Sequence, residues 1–266
     1  MMHSMVDPHE LLALAERAAR EAGELLRARV TREATGVTYK SSSTDPVSDA
    51  DRDAEAAILS LLRAERPADG VLGEEGASAA GTSGLRWVID PLDGTVNYLY
   101  AQPAFAVSIA CDDDRGTLLG VVHQPLTGET FTALRGGGAF VDGRRIAVNR
   151  PESLGRALIA TGFSYEPARR ALQGEIAARL LPQVRDLRRA GSAAIDLAWV
   201  ACGRLDGFYE HGLNEWDSAG GALLVSEAGG AVRRLPPAGG LPEGLVAGAP
   251  DLVDALARAV GAGSPS

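Results

Sequence analysis

Trp87-Val88-Ile89-Asp90-Pro91-Leu92-Asp93-Gly94-Thr95-Val96-Asn97-Tyr98 sets an apolar run, two carboxylates and a glycine in an order that marks both a strand end and a site. Trp87 to Ile89 read as the end of a buried strand. Pro91 has no N–H to give to a ladder, so the strand is expected to stop near Asp90 and leave that carboxylate at the sheet's edge. Gly94-Thr95 can then open a helix whose free N–H groups point outward, an arrangement suited to phosphate. Two carboxylates beside an anion-binding helix start repel an anion unless a cation lies between them. The stretch therefore points to a divalent metal and a phosphorylated substrate.

With 266 residues, 45% hydrophobic and 23% charged, the chain can bury a full core as one large domain or two closely joined ones. A net charge of −9 and a pI of about 5.0 argue against direct nucleic-acid binding. Cys111 and Cys202 are the only cysteines, each in an apolar run, and read as reduced core residues. No apolar run approaches the ~20 residues a bilayer span needs, and residues 1–7 lack a signal pattern. A cytoplasmic protein with no membrane partner is expected.

Upstream of the opening stretch, Asp7-Pro8-His9-Glu10 is a helix start, with Asp7 as N-cap, Glu10 able to reach back, and Leu11, Ala15, Ala18, Ala22 and Leu25 on one apolar face. His3 and His9 have no partner cluster and read as surface residues. Thr35 to Tyr39 is β-prone, and Lys40 to Pro46 is a polar loop. Ser48 caps the next helix with Asp51 at N3, and Ala54, Ile58, Leu61 and Leu62 form its buried face. Asp49, Asp51 and Asp53 alternate as in a calcium loop, but Ala54 and Ser60 stand where that loop needs Gly and Glu. Acids in a first turn simply favour the helix dipole. Gly70 to Gly76 is a short strand running into Glu74-Glu75, which by themselves read as a solvated turn. Residues 77–84 form a loose loop or a lid.

Downstream, Ala104 to Cys111, Leu118 to His123, Thr130 to Leu134 and Arg145 to Val148 read as consecutive strands, the last entered through an Asp142-Gly143 hairpin turn. Strands without helices between them imply antiparallel sheet and exclude a purely parallel doubly wound fold. Gly136-Gly137-Gly138 lacks the Lys-Ser/Thr of a P-loop and reads as a turn, and His123 as a core residue. From Pro151 strands alternate with helices: strands at Leu158 to Thr161, Val184 to Arg188, Leu205 to Glu210 and Leu245 to Ala247, helices at Arg169 to Leu181, Ser192 to Cys202, Trp216 to Glu227 and Pro250 to Val260. This change divides the chain into an N-terminal α+β subdomain, 1–150, and a C-terminal α/β subdomain, 151–266, expected to work as one unit. Residues 261–266 read as a frayed tail.

Asp90-Pro-Leu-Asp93-Gly-Thr95, Gly73-Glu74-Glu75, Asp45-Pro-Val-Ser-Asp-Ala-Asp51, Gly191-Ser-Ala-Ala194, and Tyr209-Glu210 ahead of Trp216-Asp217-Ser-Ala-Gly220 occur in an order and at separations that resemble the inositol monophosphatase family, within the lithium-sensitive, magnesium-dependent phosphatase superfamily. The likeness runs from about Lys40 to Gly230. It implies the α+β fold of that family, a layered α-β-α-β-α sandwich with mixed and antiparallel sheets. By the match, one Mg²⁺ is held by Glu74, Asp90 and the carbonyl of Leu92 and activates the attacking water. A second, held by Asp90, Asp93 and Asp217, stabilises the leaving oxygen, the pair being on the order of 4 Å apart. A third, weaker ion near Glu74 occurs in some members. Thr95 matches the residue that orients the water, with Asp51 holding its hydroxyl, and the N–H groups of Gly94 and Thr95 hold phosphate. Asp93, Ala193 and Glu210 match positions that contact the substrate's hydroxyls, with Gly191, Ser192 and Asp217 beside them. Ser192 stands where threonine is common, which keeps a hydroxyl but leaves substrate preference in doubt.

The resemblance implies a Mg²⁺-dependent phosphomonoesterase for inositol 1-phosphate or a similar polyol phosphate, a homodimer, inhibited by Li⁺. Three rivals stand beside it. A haloacid-dehalogenase-like phosphatase also carries Asp, Asp, Gly and Thr, but with one residue between its aspartates, where two stand here. The same fold also serves histidinol phosphate, fructose 1,6-bisphosphate or a 3′-phosphonucleotide; Glu210 and the small Ala193-Ala194 favour a polyol over a nucleotide. The third rival is an RNA-processing or transcription-complex accessory protein with an incidental phosphatase site.

Overall fold

The computed structural model describes residues 7–30, 36–40 and 46–261. Among these, helix α1 (Pro8–Arg29) leads into β1 (Thr38–Tyr39), β2 (Pro46–Val47) and α2 (Asp49–Glu65). Strands β3 (Gly70–Gly73), β4 (Ser78–Ala79) and β5 (Arg86–Asp93) follow, then α3 (Thr95–Leu99). A meander of β6 (Ala106–Asp113), β7 (Gly116–His123), β8 (Thr130–Leu134), β9 (Gly138–Val141) and β10 (Arg144–Arg145) completes the first half. The second half runs β11 (Leu158–Thr161), α4 (Pro167–Leu180), β12 (Asp186–Arg188), α5 (Ala193–Ala201), β13 (Gly207–His211), α6 (Glu215–Glu227), β14 (Ala231–Leu235), β15 (Gly244–Gly248) and α7 (Pro250–Gly261).

Eight strands form one sheet in the order β10-β9-β8-β7-β6-β5-β3-β4, antiparallel except where β3 runs parallel to β5. Five form a second, β12-β11-β13-β15-β14, with parallel pairs at β11 and antiparallel ones at β15. Helices α1 and α2 cover one face of the first sheet in a core that includes Leu11, Ile58, Trp87 and Ile109. Helices α5 and α6 fill the space between the sheets, with Phe131, Leu197, Leu224 and Phe208 in one cluster, and α4 and α7 cover the outer face of the second around Ile159 and Leu256. The result is the expected α-β-α-β-α sandwich. Apolar residues face inward at helical spacing on α1, although Leu26 rather than Leu25 is the fully buried one.

Local chemistry explains the helix starts. Asp7 accepts from the His9 N–H at 2.9 Å with Pro8 at the first helical position. Ser48 and Asp51 form a reciprocal capping box at α2, as do Asn214 and Asp217 at α6. Of the flanking acids on α2, Asp49 meets Arg52 and Asp53 pairs with Arg29, so both serve the surface.

The sequence is misleading at Pro91. Strand β5 does not stop at Asp90 but continues to Asp93, and Asp90 is no edge residue: β5 lies between β6 and β3, and Asp90 is 1% exposed. A bulge resolves the proline. Asp90 pairs with Ser108 and Asp93 with Ala106, so Pro91 and Leu92 together oppose only Val107, and the missing N–H falls where the ladder is interrupted. The bulge also shifts parity. Residues three apart on a regular strand face opposite sides, and one extra residue returns Asp93 to the side of Asp90.

Other boundaries moved for similar reasons. The expected strand Arg145 to Val148 is reduced to β10, and β2, β4, β9 and β14, too short or too polar to show a period, went unread. Thr35, the loop 41–45 with Asp45, His3 and the tail 262–266 lie outside the described residues. Gly136-Gly137-Gly138 is a turn, and two of its N–H groups, from Gly136 and Gly138, hold the Glu227 carboxylate at 2.8 Å each. His123 is buried beside Thr130, and burial together with Arg20 pushes its pKa down to about 4. Both cysteines are free. Among the described residues no helix is long and apolar enough to cross a membrane.

Candidate active site

A cavity of about 630 Å³ opens where the end of β5 and the start of α3 face the first turns of α5 and α6 and the end of β13. Glu74, Asp90, Leu92, Asp93, Gly94, Thr95, Gly191, Ser192, Ala193, Glu210 and Asp217 all line it, so every residue singled out for metal, phosphate or substrate is brought together. Asp51 stands behind them. Its Oδ1 lies 2.9 Å from the Thr95 hydroxyl, which is also 3.1 Å from the Leu92 carbonyl, while its Oδ2 accepts from the N–H and hydroxyl of Ser48 at 2.8 and 2.6 Å. The same capping box that starts α2 therefore fixes the carboxylate that meets Thr95.

Each acid is aimed by its element. Asp90 Oδ1 accepts from the Leu92 N–H at 3.0 Å across the bulge. Asp93 Oδ2 accepts from the Ser192 hydroxyl at 2.6 Å and the Ala194 N–H at 2.7 Å, which joins the bulge to the first turn of α5. Asp217 Oδ2 caps its own helix through the Asn214 N–H at 2.6 Å. Gly94 precedes α3 with φ of +96°, and a Cβ there would fall 2.9 Å from the Ala104 carbonyl, so only glycine fits both the dihedral and the space. The helix it opens has no side-chain cap.

The electrostatics are those of like charges out of water. Burial first, and then the charges of Glu74, Asp93 and Asp217, hold the Asp90 proton well above the usual carboxylate range. Burial raises Asp93 to about 6 even though Ser192 and Ala194 favour its ionised form. Asp217 is raised by burial and by Asp93, and Glu210 to about 8 by burial, Asp196 and Asp93. Among the described residues no three such side chains close on a single point as a finished coordination shell. The donor set nonetheless fits hard divalent cations: four carboxylates and a backbone carbonyl around one cavity need positive charge, and oxygen ligands suit Mg²⁺.

Four participants escaped the sequence reading. Lys40 donates to Glu74 at 2.8 Å and to Glu75 at 2.7 Å. It is the only lysine in a chain otherwise supplied with arginine, which was a signal available in the composition. Glu74 is thus a cavity residue rather than the solvated turn its local sequence suggests. Asn97 gives its amide N–H groups to the carbonyls of Ala104 and Ala190 at 2.6 and 2.8 Å and so ties α3 to the approach of α5. Arg189 and Asp196 line the same cavity, and nothing local to either distinguishes it.

An α-β-α-β-α sandwich with an acid-lined cavity between a bulged strand and helix starts is the sugar-phosphatase fold. The sequence model of the Inositol monophosphatase family matches residues 7–261, and the chain belongs to that family of phosphatases, which are hydrolases. An inositol-1-monophosphatase of Mycobacterium leprae is 42% identical over 276 residues, covering 96% of this chain and 94% of its own. The Nus factor SuhB of Escherichia coli is likewise 42% identical, over 255 residues and 93% and 94% of the two chains. The solved structure of the extragenic suppressor protein suhB of Bartonella henselae aligns with a TM-score of 0.87 at 37% identity, covering 96% of this chain and 99% of that one.

Proposed function

We propose that the protein is a Mg²⁺-dependent phosphomonoesterase that hydrolyses inositol 1-phosphate or a similar polyol phosphate in the cytoplasm, as a homodimer sensitive to Li⁺. The observation that carries this reading is the gathering of Glu74, Asp90, Asp93 and Asp217 around one cavity beside Thr95. Residues 1–150 bring most of the metal ligands and 151–266 bring Asp217 and the substrate segment, and the two act as one catalytic unit.

Glu74, Asp90, the Leu92 carbonyl, Asp93 and Asp217 would hold two Mg²⁺, and the family resemblance adds a third, weaker ion near Glu74. Bound there, the ions supply a water nucleophile at neutral pH and neutralise charge on the phosphoryl group and the leaving oxygen. Thr95 shares its hydroxyl proton with Asp51 and Leu92, so Oγ1 is free to accept from the attacking water and aim it. The N–H groups of Gly94 and Thr95 hold the phosphate at the mouth of α3. At the alcohol end, Glu210 and Asp93 accept from substrate hydroxyls, while Gly191, Ser192 and Ala193 shape the wall. Steady-state kinetics on inositol 1-phosphate, histidinol phosphate, fructose 1,6-bisphosphate and 3′-phosphoadenosine 5′-phosphate test the substrate. The highest kcat/KM is expected for inositol 1-phosphate; preference for histidinol phosphate or 3′-phosphoadenosine 5′-phosphate replaces the polyol assignment, and preference for fructose 1,6-bisphosphate replaces inositol as the polyol.

The name of the E. coli relative, a Nus factor, favours a second reading in which the protein also serves a transcription complex, through a protein partner rather than direct contact with nucleic acid. If Asp90→Asn fully rescues the phenotype of a deletion, that role outweighs catalysis.

A further inference from the structure

Among the described residues, one oxygen of the cavity carboxylate Asp196 is buried without a hydrogen bond. Asp196 lies four residues after Ser192 on the first turn of α5, and side chains at that spacing rise from one face of a helix. It lines the cavity, it is 1% exposed, and its Oδ1 is buried without a hydrogen bond. A buried carboxylate oxygen left unpaired costs stability, and where one faces a cavity a ligand, an ion or a water can complete it.

The groups around Asp196 indicate which ligand. Glu210 and Asp93 are the acids that act on it or feel its charge, and Arg189 is the cation that offsets them. With Arg189 already in the cavity wall, the ligand does not have to bring a positive charge, and a cationic head group would face the guanidinium. A neutral hydroxyl suits the place: it donates one hydrogen bond to a carboxylate oxygen and needs no counter-charge.

We propose that Asp196 is a specificity-determining residue of the alcohol subsite, accepting a hydrogen bond from a substrate hydroxyl other than the one Glu210 takes. The cavity thereby selects phosphate esters of alcohols with at least two further hydroxyl groups. This rests on the polyol-phosphate reading above and adds a residue that the family resemblance does not supply.

Asp196→Ala and Asp196→Asn, each loaded with Mg²⁺, test it by kcat and KM on inositol 1-phosphate and on p-nitrophenyl phosphate, which has no hydroxyl to offer. For Asp196→Ala the KM for inositol 1-phosphate should rise about fivefold to tenfold, the scale of one hydrogen bond, with kcat within about twofold. Asp196→Asn, whose amide oxygen still accepts, should lose less. For both, kcat/KM on p-nitrophenyl phosphate should stay within about twofold, and Asp196→Asn, which keeps the volume of the side chain, should leave the melting temperature unchanged. Equal losses on both substrates, or retained preference for inositol 1-phosphate in Asp196→Ala, overturn the proposal, as does a loss confined to histidinol phosphate. If the wild-type enzyme itself shows no preference for inositol 1-phosphate over p-nitrophenyl phosphate, the polyol reading fails, and the proposal with it.

Discussion

Thr95 and Asp51 are 44 positions apart in the chain and 2.9 Å apart in space, and their meeting depends on a helix cap, since the Ser48 N–H and hydroxyl hold the other oxygen of Asp51. In the proposed mechanism Thr95→Val removes the group that aims the water. It should lower kcat by about 10²-fold or more with little change in KM, as measured by phosphate release at saturating Mg²⁺. A second prediction concerns Glu210. Burial, with Asp196 and Asp93, raises its pKa from 4.5 to about 8, so the folded state holds the proton more tightly than the unfolded chain. Its contribution to stability is full below pH 4.5 and is lost as pH rises toward 8. The melting temperature of the metal-free protein should fall over that window, and Glu210→Gln should make the fall shallower; an unchanged slope by calorimetry counts against the buried acid. At this scale the sequence shows acids embedded in motifs, such as Asp90 and Asp217. Lys40 and Asn97 act across long separations, and their partners are visible only in space.

Strand β5 shows why an element can be located correctly and bounded wrongly. Trp87 to Ile89 is a buried strand in sequence and in space, but a proline inside a ladder is tolerated when a bulge takes up the missing donor, and a bulge leaves no local mark beyond the proline itself. Helix starts were legible because caps are local: Asp7, Ser48 and Asp51 each cap a helix through a group within three residues of their own position. The small residues at the start of α6 allow either close packing or approach by a ligand. At Gly220 the structure shows packing: a Cβ built on Gly120 of β7 would stand 2.7 Å from the Gly220 carbonyl and 2.8 Å from its Cα, so helix and sheet touch backbone to backbone. Gly120→Val should destabilise the protein by about 1–3 kcal/mol in denaturant titration. Because α6 carries Asp217, the same variant should also bind Mg²⁺ more weakly by calorimetry.

Over the whole molecule, the cavity draws Glu74, Asp90, Asp93 and Thr95 from the first sheet and its loops, and Ser192, Glu210 and Asp217 from the α5-α6 layer and the second sheet. Consecutive strands before Pro151 and alternating elements after it marked antiparallel sheet and a second subdomain; the layered class came with the family resemblance, and sheet order and the five-layer stacking depended on contacts that no local pattern encodes. Since burial and mutual repulsion hold the pKa values of Asp90, Asp93 and Asp217 up despite Lys40 and Arg189 nearby, Mg²⁺ should stabilise the fold as well as activate it. At Mg²⁺ concentrations of about 100 times Kd the gain should reach about 2.7 kcal/mol, read as a concentration-dependent rise in melting temperature. Phosphate release from inositol 1-phosphate by the purified protein, with Mg²⁺, with excess EDTA, and with Asp93→Asn in place of the wild type, tests the central claim most directly. Turnover in the first case and its loss in the other two is the predicted result; turnover that survives EDTA and Asp93→Asn unchanged would contradict it.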